Sequence, residues 1–246
     1  RKVRCMTTSS TALMLVPALV CLAGGVLAAL WHPSREARSL IQHFAAGVVL
    51  AALAVELLPE ISREHAPAWV LISAFALGSL FMYGLKLWTE KLEHAEAVRG
   101  QGGPEGLARG LLIATFIDVA VDGFIIGAGF AAGGETGPIL ALGLSVELLF
   151  LGLALSSEAV RGWRIVALSA AIGATVLATA FGGSIVLAQA SHAVIGAALA
   201  FSAAALLYLV TEELLIEAHE VPERPSSTLV LFAGFLVFWA IQLAGT

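Results

Sequence analysis

Apolar runs long enough to cross a lipid bilayer recur along the whole chain, and nothing else constrains its fold as strongly. About 20 mainly apolar residues make one helical crossing, because the hydrocarbon core is about 30 Å thick and each residue rises about 1.5 Å. Eight such segments can be drawn in the 246 residues, at roughly 11–31, 39–59, 67–88, 107–131, 137–160, 163–188, 192–217 and 227–245. The runs are continuous, not alternating, which excludes the period-two pattern of a membrane barrel. Only 13% of the residues are charged and 59% are hydrophobic, whereas a soluble domain carries about 25% charged residues. The expected fold is therefore all-α: a polytopic membrane bundle, one domain over residues 1–246. The first run is longer than the roughly 7–15 apolar residues of a signal peptide and reads as a membrane helix. Met6 is a candidate start, which would set Arg1 to Cys5 apart from the natural protein.

The connectors are short except for one at about 89–106, charged at first and then rich in glycine and proline. Basic residues fix the orientation, because they accumulate in cytoplasmic loops. Arg35, Arg38, Lys86, Lys91, Arg99, Arg109, Arg161, Arg164 and Arg224, nine of the 13, fall on the side opposite the N-terminus. Both termini are therefore expected outside, with a cell membrane as the location, the inner membrane in a bacterium. The lipid bilayer is thus one partner, and a homodimer is compatible with the pattern. No basic patch supports nucleic-acid binding. Cys5 and Cys21 make neither a disulfide framework nor a CxxC metal clip.

Acids inside the greasy segments carry the functional information. The run IATFIDVAVDGFIIGAGF places Asp118 and Asp122 four residues apart with no base among them. Counting from the inner surface puts Asp118 about 16 Å deep, at the midplane, with Asp122 about 6 Å beyond on the same helix face. Glu147 in segment five lies about 15 Å in, at the same level. Glu56 falls near the outer end of segment two, and Glu212, Glu213, Glu217 and His219 near the inner end of segment seven. The other acids, Glu60 and Glu64 among them, lie in loops or at segment ends and read as solvated. Each charge at the bilayer centre costs at least about 2.5–3.5 kcal/mol. With no lysine or arginine expected at that depth, the three midplane acids need protons or a cation. A structural alternative has them neutral and bonded to Thr115 or Ser145. The histidines, His43 and His192 included, all fall at segment ends or in loops and read as solvated, His219 excepted because it adjoins Glu213 and Glu217. Gly123, Gly127 and Gly129 read as packing positions, GFIIG being a small-xxx-small pattern.

These features together resemble the ZIP (Zrt/Irt-like) family of divalent-metal transporters over nearly the whole chain. The resemblance rests on eight segments, both termini outside, and a hydrophilic connector after segment three. HFAAGVVLAALAVELLPE in segment two is similar to the family's FAAG…LLPE signature, and TEELLIEAHE in segment seven to its HE-containing motif. Glu213 matches that motif's glutamate, and Glu212 stands where the family commonly has histidine. In segment four the family pattern is His-Asn-x-Pro-Glu/Asp-Gly, and this chain reads Asp118-Val119-Ala120-Val121-Asp122-Gly123. Asp118 falls on the histidine and Asp122 on the acidic ligand. In segment five, ELLFLG places Glu147 on the first ligand position, Leu151 on a second and Phe150 on the proline. An alternative register, shifted by one residue, sets Glu147 on the motif's adjacent acid.

The resemblance implies import of a divalent metal, with Asp118, Asp122, Glu147, Glu213 and Glu212 as metal ligands and Glu56, Glu217 and His219 along the pathway. The metal would be substrate, and no resident cofactor or enzymatic activity is expected. Zinc is the family's default cargo, but imidazole suits zinc whereas carboxylate suits harder ions, so Mn²⁺ or Fe²⁺ fits the residues better. Two further readings remain. One is a divergent ZIP-like protein that conducts protons or transports nothing. The other, an intramembrane aspartyl hydrolase, lacks the YD and GxGD motifs around Asp118 and Asp122.

Overall fold

The computed structural model describes residues 8–30, 34–98, 104–154, 163–218 and 225–245, and every regular element among them is a helix. Eight helical segments are long and apolar enough to cross a membrane. We number them α1 (Thr8–Leu30), α2 (Arg35–Ala51, continued by Ala52–Leu57 and Leu58–Arg63), α3 (Ala68–Val98) and α4 (Pro104–Ala132). They are followed by α5 (Thr136–Ala154), α6 (Trp163–Leu187), α7 (His192–Tyr208, continued by Leu209–Leu214 and Leu215–Ala218) and α8 (Pro225–Gly245). The chain is thus an all-α, multi-pass membrane protein.

Local chemistry explains several boundaries. Ser34 caps α2, its hydroxyl oxygen accepting from the Ala37 amide at 3.2 Å. α4 and α5 meet in a tight turn where Gly133 (φ 90°) and Gly134 (φ 61°) take the left-handed backbone that costs glycine nothing. The expected hydrophilic connector is shorter than its composition implied. Residues 91–98, KLEHAEAV, continue α3 as helix, and α4 already begins at Pro104. Ala, Leu, Lys and Glu are all strong helix formers, so the helix runs on past its apolar stretch. The last residues assigned to segment five, 155–160, lie outside the described residues.

α2 and α7 each contain a π-helical turn, Ala52–Leu57 and Leu209–Leu214. The amide of Leu58 reaches back to the Leu53 carbonyl, and that of Leu215 to Val210, five residues in each case. One residue is therefore accommodated beyond the α-helical register, a feature that recurs at functional sites. No proline or glycine in either turn announces it.

Burial sorts the helices. Within the apolar windows, 61% of α2, α5 and α7 and 50% of α4 is buried, against 11% of α3 and 17% of α8. The four inner helices are those that carry the intramembrane acids. α3 and α8 instead present Trp69, Ile72, Leu80, Phe232 and Leu236 outward, as lipid-facing helices do. Close approach of α4 and α6 depends on missing side chains. A Cβ at Gly127 would stand 2.5 Å from the Ala180 carbonyl oxygen and 2.9 Å from the Ser184 nitrogen, and one at Gly123 would strike Val176 and Thr179. Gly129 faces Gly137 of α5 in the same manner. The small-xxx-small reading of this run therefore holds.

Gly127→Leu should push these two helices apart, at a cost of about 1–3 kcal/mol or more. The protein should melt at a lower temperature in detergent, whereas Gly182→Ala, with nothing within 4 Å of the added methyl, should leave melting unchanged or slightly raised, since alanine favours a helix interior over glycine. Equal melting of Gly127→Leu and the parent would contradict the close packing.

Candidate metal centre

The unbroken helix α4 sets Asp118 and Asp122 one turn apart on a single face, because residues i and i+4 stack. Glu147 projects from α5 toward the same point. Each of the three offers a carboxylate oxygen, and those oxygens all lie within 4.8 Å of one another. Two oxygens bound to one ion stand at most twice the bond length apart, about 4–5 Å for bonds of roughly 2.0–2.6 Å. The three carboxylates are thus close enough to share a single cation. Asp122 is 2% exposed and Glu147 6%, while Asp118 is half-buried. One oxygen of Asp122 (Oδ2) and one of Glu147 (Oε2) are buried with no hydrogen-bond partner among the described residues. Beyond them along α4 and α5, Ile125, Ile126, Leu140 and Leu144 are fully buried.

Electrostatics make this trio unstable as bare anions. At an effective dielectric of about 20, two unit charges 4.8 Å apart repel by about 3.5 kcal/mol, and the trio contains three such pairs. The bonds that a purely structural role requires are not supplied by Ser145. Its hydroxyl donates instead to the Ala141 carbonyl one turn back, as mid-helix serines commonly do.

A cavity of about 550 Å³ leads to the trio, with Asp118, Glu147 and Thr115 on its wall. Arg38, Lys86, Thr89, Glu212 and Glu213 line it as well. Glu213 therefore joins the same space and interacts electrostatically with Asp122 and Glu147. Glu212 has a different neighbour: its Oε2 accepts from Lys86 Nζ at 2.7 Å. The carboxylate cluster thus comprises Asp118, Asp122 and Glu147, with Glu213 on the shared cavity and Glu212 held by a lysine. Glu217 belongs to the helical turn Leu215–Ala218, its side chain lying outside the described residues, as does the whole of His219.

Glu56 departs from the picture of an interfacial, water-exposed glutamate. It lies on the π turn of α2, is 6% exposed, and accepts a hydrogen bond from the Thr136 hydroxyl at 2.8 Å. Glu64, read as solvated, is also buried, and its Oε2 accepts from His192 Nδ1 at 2.6 Å. A buried carboxylate needs such a partner, and the first residue of α7 supplies it. His43 likewise is buried within α2, donating to the Ser39 carbonyl at 2.8 Å. Cys21 is a buried thiol directed at the Ser169 carbonyl, in keeping with an inert role.

Lys86, Thr136 and His192 are the partners that sequence reasoning missed. Lys86 alone carried a signal, a base inside the apolar run 67–88. The other two pairings join residues 80 and 128 positions apart, which no local pattern discloses. Compared with known proteins, the chain matches no family model, and no curated protein sequence matches it.

Asp122→Asn removes one member of a mutually repelling trio, a relief of about 3–4 kcal/mol or more per ionised pair. In chelator at pH 8 the variant should melt at or above the parent temperature, and it should lose any upward shift that Mn²⁺ confers on the parent. A marked drop in melting temperature would instead identify Asp122 as a hydrogen-bonded structural residue.

Proposed function

We propose that this chain is a ZIP-like secondary transporter that carries a divalent cation across a membrane toward the cytoplasm. The observation that supports this most is the trio Asp118, Asp122 and Glu147, three carboxylates within bonding range of one ion on helices otherwise packed with apolar side chains. A cation entering the trio neutralises the repulsion and gives the orphaned oxygens of Asp122 and Glu147 a partner. A divalent ion fits the charge better than a monovalent one. The donors are all oxygen, which suits Mn²⁺ or Fe²⁺ better than Zn²⁺.

The route follows from where the cavity lies. Its charged end carries Arg38 and Lys86, and an excess of basic residues marks the cytoplasmic side. The cavity in that case lies on the cytoplasmic side, while Ile125, Ile126, Leu140 and Leu144 close the opposite half. An ion would be held by the trio and released past Glu213. Alternation between the two sides requires one group of helices to rock against the other. Glu56 and Glu213 both sit on π turns, the places where α2 and α7 have a register to spare.

Purified protein in liposomes, offered Mn²⁺, Fe²⁺, Zn²⁺, Co²⁺ and Cd²⁺ with and without a pH gradient, tests the proposal. Mn²⁺ or Fe²⁺ uptake should exceed Zn²⁺ uptake, and Asp122→Asn should lower it at least about tenfold, since even outer-shell losses cost about 10–100-fold. Proton movement without any metal flux would favour the second reading, in which the unpartnered oxygens of Asp122 and Glu147 relay protons only. No flux of either kind would overturn both.

A further inference from the structure

Lys86 and Arg38 are the basic side chains on the cavity wall, and the position of Lys86 is specific. It lies near the end of the apolar window of α3 and reaches 2.7 Å to Glu212 on the π turn of α7, 126 residues away. Both side chains line the cavity that ends at Asp118 and Glu147. Both are also part-exposed, 36% for Lys86 and 40% for Glu212, so the pair stands at the wet end of that cavity and not in its depth. Glu90 and Tyr208 add to the electrostatic surroundings of Lys86.

From this geometry we infer that the Lys86–Glu212 ion pair is a gate across the cytoplasmic mouth of the cavity, an inference that rests on the transport reading for its purpose. Two physical points carry it. An ion pair exposed to this degree contributes little net stability, so it opens and recloses at thermal cost, as a gate must and a structural staple does not. A cation leaving the trio must pass the Lys86 ammonium, which repels it while the pair spans the mouth. When Glu212 releases the lysine, its carboxylate is free to draw the cation outward. Glu212 and Glu213 are consecutive on one π turn. If that turn slips back to α-helical register, both carboxylates rotate together, coupling release of the pair to the residue beside the site.

Accessibility measures the gate without any transport. A single cysteine replaces Ile41, a half-buried residue of α2 on the cavity wall, in a protein whose Cys5 and Cys21 are serine. Inside-out membrane vesicles are then treated with a membrane-impermeant charged maleimide. Lys86→Gln and Glu212→Gln should each label about two- to five-fold faster than the intact pair. The charge swap Lys86→Glu with Glu212→Lys should return the rate to that of the parent and show that the variants fold. Raising salt from about 0.1 to 1 M, which shortens screening from about 10 to 3 Å, should speed labelling of the unsubstituted pair relative to a cysteine at Lys91 outside the cavity. Unchanged rates in the single variants, or a swap as fast as they are, would overturn the gate. Correct labelling behaviour in a protein that moves no metal would overturn the transport reading and leave the gate standing.

Discussion

Three carboxylates close enough together to share one cation, in a medium with little water to solvate them, set the terms for everything else in this molecule. Their mutual repulsion, about 3.5 kcal/mol per ionised pair at the longest separation present, is too large for an isolated helix bundle to absorb idly. It has to be offset by protons or by a cation. The surrounding architecture is consistent with that demand. The helices carrying the trio are among the most buried, they approach one another over glycines, and one side of the trio opens to a cavity while the other is filled with aliphatic side chains. α3 and α8, which carry none of the trio, form the lipid-facing edge.

Three other acids show what a settled carboxylate looks like in the same protein. Glu56 has the Thr136 hydroxyl, Glu64 has His192, and Glu212 has Lys86. Asp122 and Glu147 each keep an oxygen with nothing to bond to among the described residues. The contrast is internal and does not depend on likeness to any other protein. It sets Asp122 and Glu147 apart from the other three acids, one of which lies on the cavity side and two away from it.

Much of this was legible in the amino-acid order. Long aliphatic runs have one solution in lipid, so the number of crossings and the helical class followed directly, and rise per residue alone brought Asp118 and Glu147 to one level with Asp122 one turn beyond. What could not be read was whatever depends on pairing between distant residues or on a local register change. The π turn at Leu209–Leu214 arises without a nearby proline or glycine, and the one at Ala52–Leu57 has only Pro59 beyond its end, which has no amide to bond Val55. The burial of Glu64 follows from where α7 begins and not from its own neighbours in sequence. In the sequence Lys86, a base near a segment end, speaks only for orientation, and only the approach of α7 shows that it faces an acid.

Direct sight of the ion bears hardest on the account. Crystals grown with Mn²⁺ and measured with X-rays tuned to its absorption edge should give one strong anomalous peak between Asp118, Asp122 and Glu147, at about 2.0–2.6 Å from a carboxylate oxygen of each. A peak confined to Glu212 and Glu213, or no peak inside the bundle at saturating Mn²⁺, would contradict the claim that these three carboxylates are a cation site.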